Sequence, residues 1–330
     1  MTDSPFRVGA FVCGAPTSPR DLVHHGKLLS AYADGEIADE REAYLSHFAF
    51  GPEMEAHYKA NRNSVAGYAG PCVARWVVLD IDRAELTVAL EDARRLVRAV
   101  TRRYPETEGD VPVYFSGNKG FHVMVELAHG PPPAVGFQHT ARTFAEALAA
   151  LAGVTIDAGI YDINRLVRLP NTRHARTGLY KRRIDSEALF RLELPGILDM
   201  AKRASGDGIP AVRLPPAQLA KDWEAAGRHA AGKAEARAAV RRDCGDADAR
   251  APRYFLDLLR FGVGEGDRHN TLFRCAAWLT EQGAPPSLCS ALLTEAGRDV
   301  GLTPADVARQ IACGIAHALK QQQAEGRQSP

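Results

Sequence analysis

The sequence predicts an α/β core followed by a small all-helical domain. Three observations carry this. Runs rich in β-branched and aromatic residues alternate with amphipathic helical stretches over residues 1–204. The composition then shifts over 205–252 to Ala, Arg, Lys, Asp and Gly, as in a linker, with one exposed helix expected around Pro216 to Arg242. Residues 253–330 show helical apolar spacing broken at Gly262 to Gly266, Gly283 to Pro286 and Gly301 to Pro304, the pattern of a small helical bundle.

Composition bounds the function classes. The 330 residues are 45% hydrophobic and 25% charged, with 41 Lys and Arg against 40 Asp and Glu for a net charge of +1. That balance excludes wholesale disorder, collagen and a disulfide-stapled miniprotein. Ala147 to Ile156 is the longest uncharged apolar stretch, well short of the roughly 18 residues a membrane span needs. The first residues lack a basic start leading into an apolar run, so a cytoplasmic protein without membrane contact is expected. The six cysteines form no CxxC pair and no Cys/His knuckle, so no zinc site is expected, and they read as reduced buried thiols. With so little net charge, any attraction to nucleic-acid phosphate must come from local clusters.

Along the chain, residues 1 to about 70 mix short apolar runs with helical pieces such as Asp39 to Phe48, and close on a glycine-punctuated loop. Trp76 to Asp82 reads as a buried strand with two carboxylates at its C-terminal end. A helix follows from about Leu86 to Tyr104, its apolar face set by Leu86, Leu90, Leu96, Val97 and Val100. Val111 to Ser116 and Phe121 to Leu127 read as strands joined by the turn Gly117-Asn118-Lys119-Gly120, a hairpin signal. After Pro131-Pro132-Pro133 an Ala-rich helix extends to about Leu151, and Val154 to Asp157 reads as a short strand ending in an acid.

Three groups of residues are suited to chemistry. Asp80 and Asp82, two apart on a strand, project from one face about 6.6 Å apart while Ile81 points into the core. Two such charges about 7 Å apart repel by about 2.4 kcal/mol at an effective dielectric near 20, so a partly buried pair needs cations. Metal ions would supply them, and so would a structural pairing with Arg75 and Arg83. In Ser116-Gly117-Asn118-Lys119-Gly120-Phe121-His122, glycines at both ends of a tight turn let backbone N–H groups and one lysine approach a phosphate. The plain alternative is a hairpin with a solvent-facing Lys119 and a structural His122. Finally, Tyr161 to Arg183 holds Arg165, Arg168, Arg173, Arg176, Lys181, Arg182 and Arg183 against the single Asp162. Its guanidinium forks suit bidentate phosphate contacts, although a charge run of this kind also serves simply as a solvated face.

Together VVLDID, SGNKGFH, VTIDAGIY, NRLVRLPNT and TGLYK resemble, in order and spacing, the archaeo-eukaryotic primase superfamily of primase-polymerases, to which the polymerase domains of bacterial end-joining ligases are related. The resemblance covers about residues 60 to 185. It implies an RRM-like primase-polymerase core, with a mixed sheet carrying the acids on one face and an N-terminal α/β module before it. By the family pattern, Asp80, Asp82 and Asp157 would be the catalytic, metal-holding carboxylates, with Asp162 a competitor for the third place. Ser116, Lys119, His122, Arg165, Arg168 and Lys181 would bind nucleotide or nucleic-acid phosphate.

The implied activity is template-dependent nucleotidyl transfer, as a DNA primase or DNA polymerase, with two Mg2+ or Mn2+ ions as cofactors. The implied partners are single-stranded DNA template and primer, NTP or dNTP, and a helicase or other replication or repair protein. The C-terminal Gly266-Asp267-Arg268-His269-Asn270-Thr271-Leu272-Phe273 looks like the helical domain attached to phage and plasmid primases. Two other readings are a non-catalytic nucleic-acid-binding replication protein with a primase-like shell, and a metal-dependent nuclease. Keeping three repelling carboxylates together argues against the first, and a hairpin better suited to a triphosphate than to a scissile strand argues against the second.

Overall fold

The computed structural model describes residues 6–107, 111–127, 131–208, 216–243, 251–263 and 266–326. The chain divides into two units, Met1–Ala230 and Ala231–Pro330. The first begins β1 (Val8–Cys13), β2 (Asp21–His24), α1 (His25–Ala33), β3 (Ala43–Ser46), β4 (Ala49–Phe50), α2 (Pro52–Ala60) and β5 (Cys72–Val73). It continues β6 (Trp76–Asp82), α3 (Leu86–Arg103), β7 (Val113–Phe115), β8 (Gly120–Glu126), α4 (Phe137–Ala152), β9 (Leu166–Arg168) and β10 (Arg182–Ile184). The short helices α5 (Ser186–Arg191) and α6 (Leu194–Met200) follow, then the long α7 (Ala217–Asp243), in which the division between the units falls.

The strands form two sheets. One has the order β5-β4-β1-β3-β9 with β2 also on β1, and the other has the order β10-β7-β8-β6. Every ladder in both is antiparallel, where the resemblance implied a mixed sheet.

The second sheet positions the acids. Val77, Leu79 and Ile81 are fully buried and lie opposite Val125, Val123 and Phe121, and α3 and α4 pack against these strands. Because side chains alternate along a strand, burying Ile81 turns Asp80 and Asp82 to the other face.

Two local expectations change. Asp39 to Phe48 is not helical: Ala43–Ser46 is strand β3, paired on one side with β1 and on the other with β9. The helix-favouring Glu40, Arg41 and Glu42 are outweighed by this two-sided pairing, which buries Ala43, Leu45 and Ser46. Val154 to Asp157 forms no ladder, although Asp157 itself is extended. The Asp157 N–H donates to Asp80 O at 2.8 Å, and the Asp157 side chain then accepts from Gly159 N–H at 2.8 Å, capping a 3-10 turn at Ala158–Tyr161. That turn begins before a longer ladder can form.

The helix expected to be exposed in a linker instead buries Leu219, Trp223 and Ala226 in the core of the first unit. These lie at i, i+4 and i+7, a short apolar stripe on one helix face. Trp223 packs against Phe137 and Phe144 at ring-centroid distances of 5.0 and 5.6 Å, and Asp222 accepts from Arg103 and from the Tyr104 hydroxyl. Cys244, at the end of this stretch, lies outside the described residues.

The second unit contains α8 (Arg253–Phe261), α9 (Arg268–Glu281), α10 (Pro286–Asp299) and α11 (Pro304–Gly326) around Phe255, Leu272, Cys275, Leu293 and Ile311. Gly314 permits the close approach of α11 to α9, since a Cβ there would meet Phe273 O at 2.3 Å. No described helix is long and apolar enough to cross a membrane.

Candidate active site

The two sheets of the first unit meet at a cleft. Asp80, Asp82, Ser116, Asn118, Lys119 and His122 line it from one sheet, and Tyr44 and residues Arg165 to Arg168 from the other, with Ile160 and His174 between. Seven residues expected from sequence thus come together there: Asp80, Asp82, Ser116, Lys119, His122, Arg165 and Arg168. Asp157 lies beside them, tied to β6 through Asp80 O.

Lys181 lies behind the cleft rather than on it. Its ammonium is buried, donates to Arg168 O at 2.6 Å and sits 5.5 Å from the centre of the Tyr114 ring. Burial and the Arg168 charge push its pKa down to about 7, partly opposed by Asp80.

Asp80 is the electrostatic centre. Burial, reinforced by the charges of Asp82 and Asp157 and only partly relieved by Lys181 and Arg165, raises its pKa to about 8. Its Oδ1 has no hydrogen-bond partner among the described residues, although 18% of the side chain remains exposed to the cleft. Such a carboxylate is costly unless a cation approaches it. The arginines that could have neutralised the pair act elsewhere: Arg75 pairs with Glu126 at 2.8 Å, and Arg83 with Asp92 at 2.5 Å. The structural salt-bridge alternative therefore does not hold.

Asp82 is engaged by Lys119, whose Nζ lies 2.9 Å from Asp82 Oδ2. As they stand, no three His, Cys, Asp or Glu side chains among the described residues close tightly enough around one point to hold an ion. One oxygen of Asp82 faces Lys119 and one of Asp157 faces a backbone N–H. The donor set still fits divalent ions: three carboxylates within electrostatic reach of one another, one with an unpartnered oxygen.

The rest of the cleft suits phosphate. Ser116 Oγ accepts from Gly120 N–H at 3.1 Å, which shapes the turn and leaves its proton free to donate. His122 stands directly opposite Asp80 in the ladder, and burial beside Lys181, Arg168 and His47 holds its pKa well below the usual histidine value. It therefore serves as a neutral hydrogen-bonding group, not a cation. Arg165 is exposed on the rim. Arg168 is buried, and its Nη1 has no hydrogen-bond partner among the described residues, the Glu42 carboxylate lying 4.0 Å away.

Sequence reasoning missed Tyr44 and His174. Tyr44 sits opposite Arg168 in the β3–β9 ladder, and burial beside Glu42 pushes its pKa up to about 12. Reading Ala43 to Ser46 as an alternating strand would have exposed it; the helical reading hid it. Asp162, the rival third carboxylate, accepts from Asn164 N–H at 2.9 Å and closes a local turn.

No family model matches the chain. Part of it is similar to the DNA primase small subunit PriS of Saccharolobus islandicus, in the Lassen strain L.S.2.15 and the Yellowstone strain Y.N.15.51 alike. In each case the two are 33% identical over 113 residues, 27% of this chain and 33% of the relative. The similarity is to a primase. The chain spans about a third of the length of these curated relatives. Among solved structures, that of primase RepB' aligns over 98% of this chain and 95% of its own, with 13% identity and a TM-score of 0.34.

Proposed function

We propose that this chain is a template-directed nucleotidyltransferase of the primase type, adding nucleotides to a 3′-hydroxyl or starting a primer on single-stranded DNA. The observation that carries this reading is Asp80: a carboxylate raised by burial and two neighbouring acids, with an unpartnered oxygen, in a cleft otherwise lined by donors suited to phosphate. A protein that only bound nucleic acid would gain nothing from that cost. Similarity over part of the chain to the primase small subunit points the same way.

The topology supports an RRM-like core. In chain order β6, α3, β7, β8 and α4 match the first five elements of a β-α-β-β-α-β unit, and the segment ending at Asp157, bonded to β6 through Asp157 N–H and Asp80 O, takes the place of the last strand beside β6 in the order β7, β8, β6. The acids then come from two adjacent elements, β6 and the segment beside it that ends at Asp157.

Asp80, Asp82 and Asp157 would hold Mg2+ or Mn2+. Bound there, such ions supply Lewis-acid stabilisation to the attacking 3′-hydroxyl and the departing pyrophosphate. The protein's own groups act on the phosphates. Ser116 donates through its hydroxyl and His122 through its neutral imidazole, while Lys119, Arg165 and Arg168 offset negative charge as it develops. Lys181 does not reach phosphate in this arrangement; its charge acts from behind on Asp80 and holds the Arg168 backbone.

The test is synthesis on single-stranded DNA, with and without primer, ribonucleotides and deoxyribonucleotides being supplied separately. Asp80→Ala and Asp82→Ala should each abolish metal-dependent incorporation in a chain that remains folded. Undiminished incorporation by either variant rejects the assignment.

A further inference from the structure

Resting on that reading, we propose that Lys119 makes ion binding by the aspartates conditional on a polyphosphate tail, because it leaves Asp82 only when such a tail offers it a stronger anion. Lys119 Nζ lies 2.9 Å from Asp82 Oδ2. Those two side chains have separate tasks, one toward phosphate and one toward a cation, and the contact between them excludes both at once. A divalent ion arriving alone must displace an ammonium already in place. A polyphosphate carries several negative charges against the single charge of Asp82, so it draws the ammonium away and frees the oxygen.

The surroundings make the Lys119 side chain the part that moves. The turn that carries it is pinned at each residue. Ser116 N–H bonds to Gly120 O at 2.9 Å and Thr177 Oγ1 to Gly117 O at 2.5 Å, while Arg176 Nη2 donates to Asn118 Oδ1 at 2.7 Å. The Lys119 carbonyl itself accepts from Arg83 N–H at 3.3 Å. Gly117, at φ +81°, is pressed so close to the 179–180 backbone that a Cβ would meet Leu179 O at 2.9 Å. Against this fixed backbone the Lys119 side chain is 55% exposed, and its flexible four-carbon stem can carry the charge from one anion to another.

The other two acids have no comparable gate. Asp80 Oδ1 lacks a hydrogen-bond partner among the described residues, and Asp157 is held by a backbone N–H that cannot leave. Lys119 is thus a specificity-determining residue: nucleotides with a polyphosphate tail open the site to ions, and nucleosides do not.

The experiment is calorimetric titration of the full chain with Mn2+, alone, with a non-hydrolysable nucleoside triphosphate analogue, and with a nucleoside. In the wild type the analogue should tighten Mn2+ binding by about 10-fold or more and the nucleoside should not. Lys119→Met should bind Mn2+ alone about 10-fold more tightly than wild type, with little further gain from the analogue, and Lys119→Arg should restore the coupling. Arg165→Met controls for loss of a cleft charge without loss of this contact, and should tighten Mn2+ binding by less than about 3-fold. If Lys119→Met, without nucleotide, binds Mn2+ no more tightly than Arg165→Met, the proposal is overturned while the aspartate reading stands. If wild type and Asp80→Asn bind Mn2+ equally under every condition, the aspartate reading fails and takes this one with it.

Discussion

Asp80 and His122 face each other directly across the β6–β8 ladder, the carboxylate Oδ1 lying 3.5 Å from the imidazole Nε2. They do not form an ion pair. Burial among cations keeps His122 neutral, and burial among acids drives Asp80 toward its protonated form. The cleft therefore holds a group whose ionisation is opposed by the fold, which gives the site a measurable signature apart from catalysis.

That signature is a stability that falls as pH rises. An unfolded aspartate titrates near about 3.9, whereas Asp80 in the fold titrates at about 8. Between these values the native state holds a proton that the unfolded chain has lost, so the contribution is full below about pH 4 and is lost as pH rises through about 8. Asp80→Asn should raise the Tm at pH 8.5 in the presence of a chelator, with a gain that shrinks toward pH 5. Addition of Mn2+ should narrow the gap by stabilising only the wild type. A Tm difference that is flat with pH would show that Asp80 ionises freely.

Gly120 joins the acids to the phosphate turn by close contact. It pairs with Asp82 at the end of the ladder, and a Cβ there would lie 2.0 Å from Ile81 O and 2.6 Å from Asp82 Oδ1. Gly120→Ala should therefore cost about 2 to 3 kcal/mol, measured by denaturant unfolding, because backbone must move to admit it. Gly153→Ala is the contrast. Its φ is +61° but nothing lies within 4 Å of the new Cβ, so the cost should be about 1 kcal/mol, and nucleotide binding should be unchanged. Equal costs for the two would refute the close-contact argument.

The parts of this site that could be read from sequence are those where one strand or one turn carries the information. Asp80, Asp82 and the hairpin from Ser116 to His122 depend only on period-2 alternation and glycine turn chemistry, and the ladder places them as that logic requires. Tyr44 and Lys181 depend on long-range pairing instead. Tyr44 reaches the cleft because β3 pairs with β9, 124 residues on at Arg168, and Lys181 is drawn inside by its bond to Arg168 O. Local charge patterning could not separate the buried cation from the exposed Arg165, since both stand in the same basic run.

Arg83 holds the neighbouring acids by indirect means. Its guanidinium pairs with Asp92, whose side chain is 4% exposed, and Nη2 also donates to Thr155 O at 2.7 Å, two residues before Asp157. Arg83→Met should destabilise the chain by about 3 kcal/mol, the low end for breaking a buried pair because Arg95 continues to pair with Asp92. It should also loosen the segment carrying Asp157, so Mn2+ affinity should fall even where the variant is fully folded. A variant as unstable as expected but with wild-type Mn2+ affinity would disconnect Arg83 from the site.

Trp223 tests whether α7 is part of the first unit or merely passes over it. A helix poor in large apolar residues forms little stable structure by itself, so its order must come from docking. Among the described residues of this helix, Leu219, Trp223 and Ala226 enter the core, with Asp222 adding its bonds to Arg103 and Tyr104. Trp223→Ala in the full chain should leave a cavity against Phe137 and Phe144 and cost about 3 to 4 kcal/mol. Because Phe137 opens α4, which packs on β6, amide exchange should quicken in α4 and β6 as well as in α7. An unlinked, solvated helix would show neither change, and a loss below about 1 kcal/mol with α4 still protected would return this segment to the status of a linker.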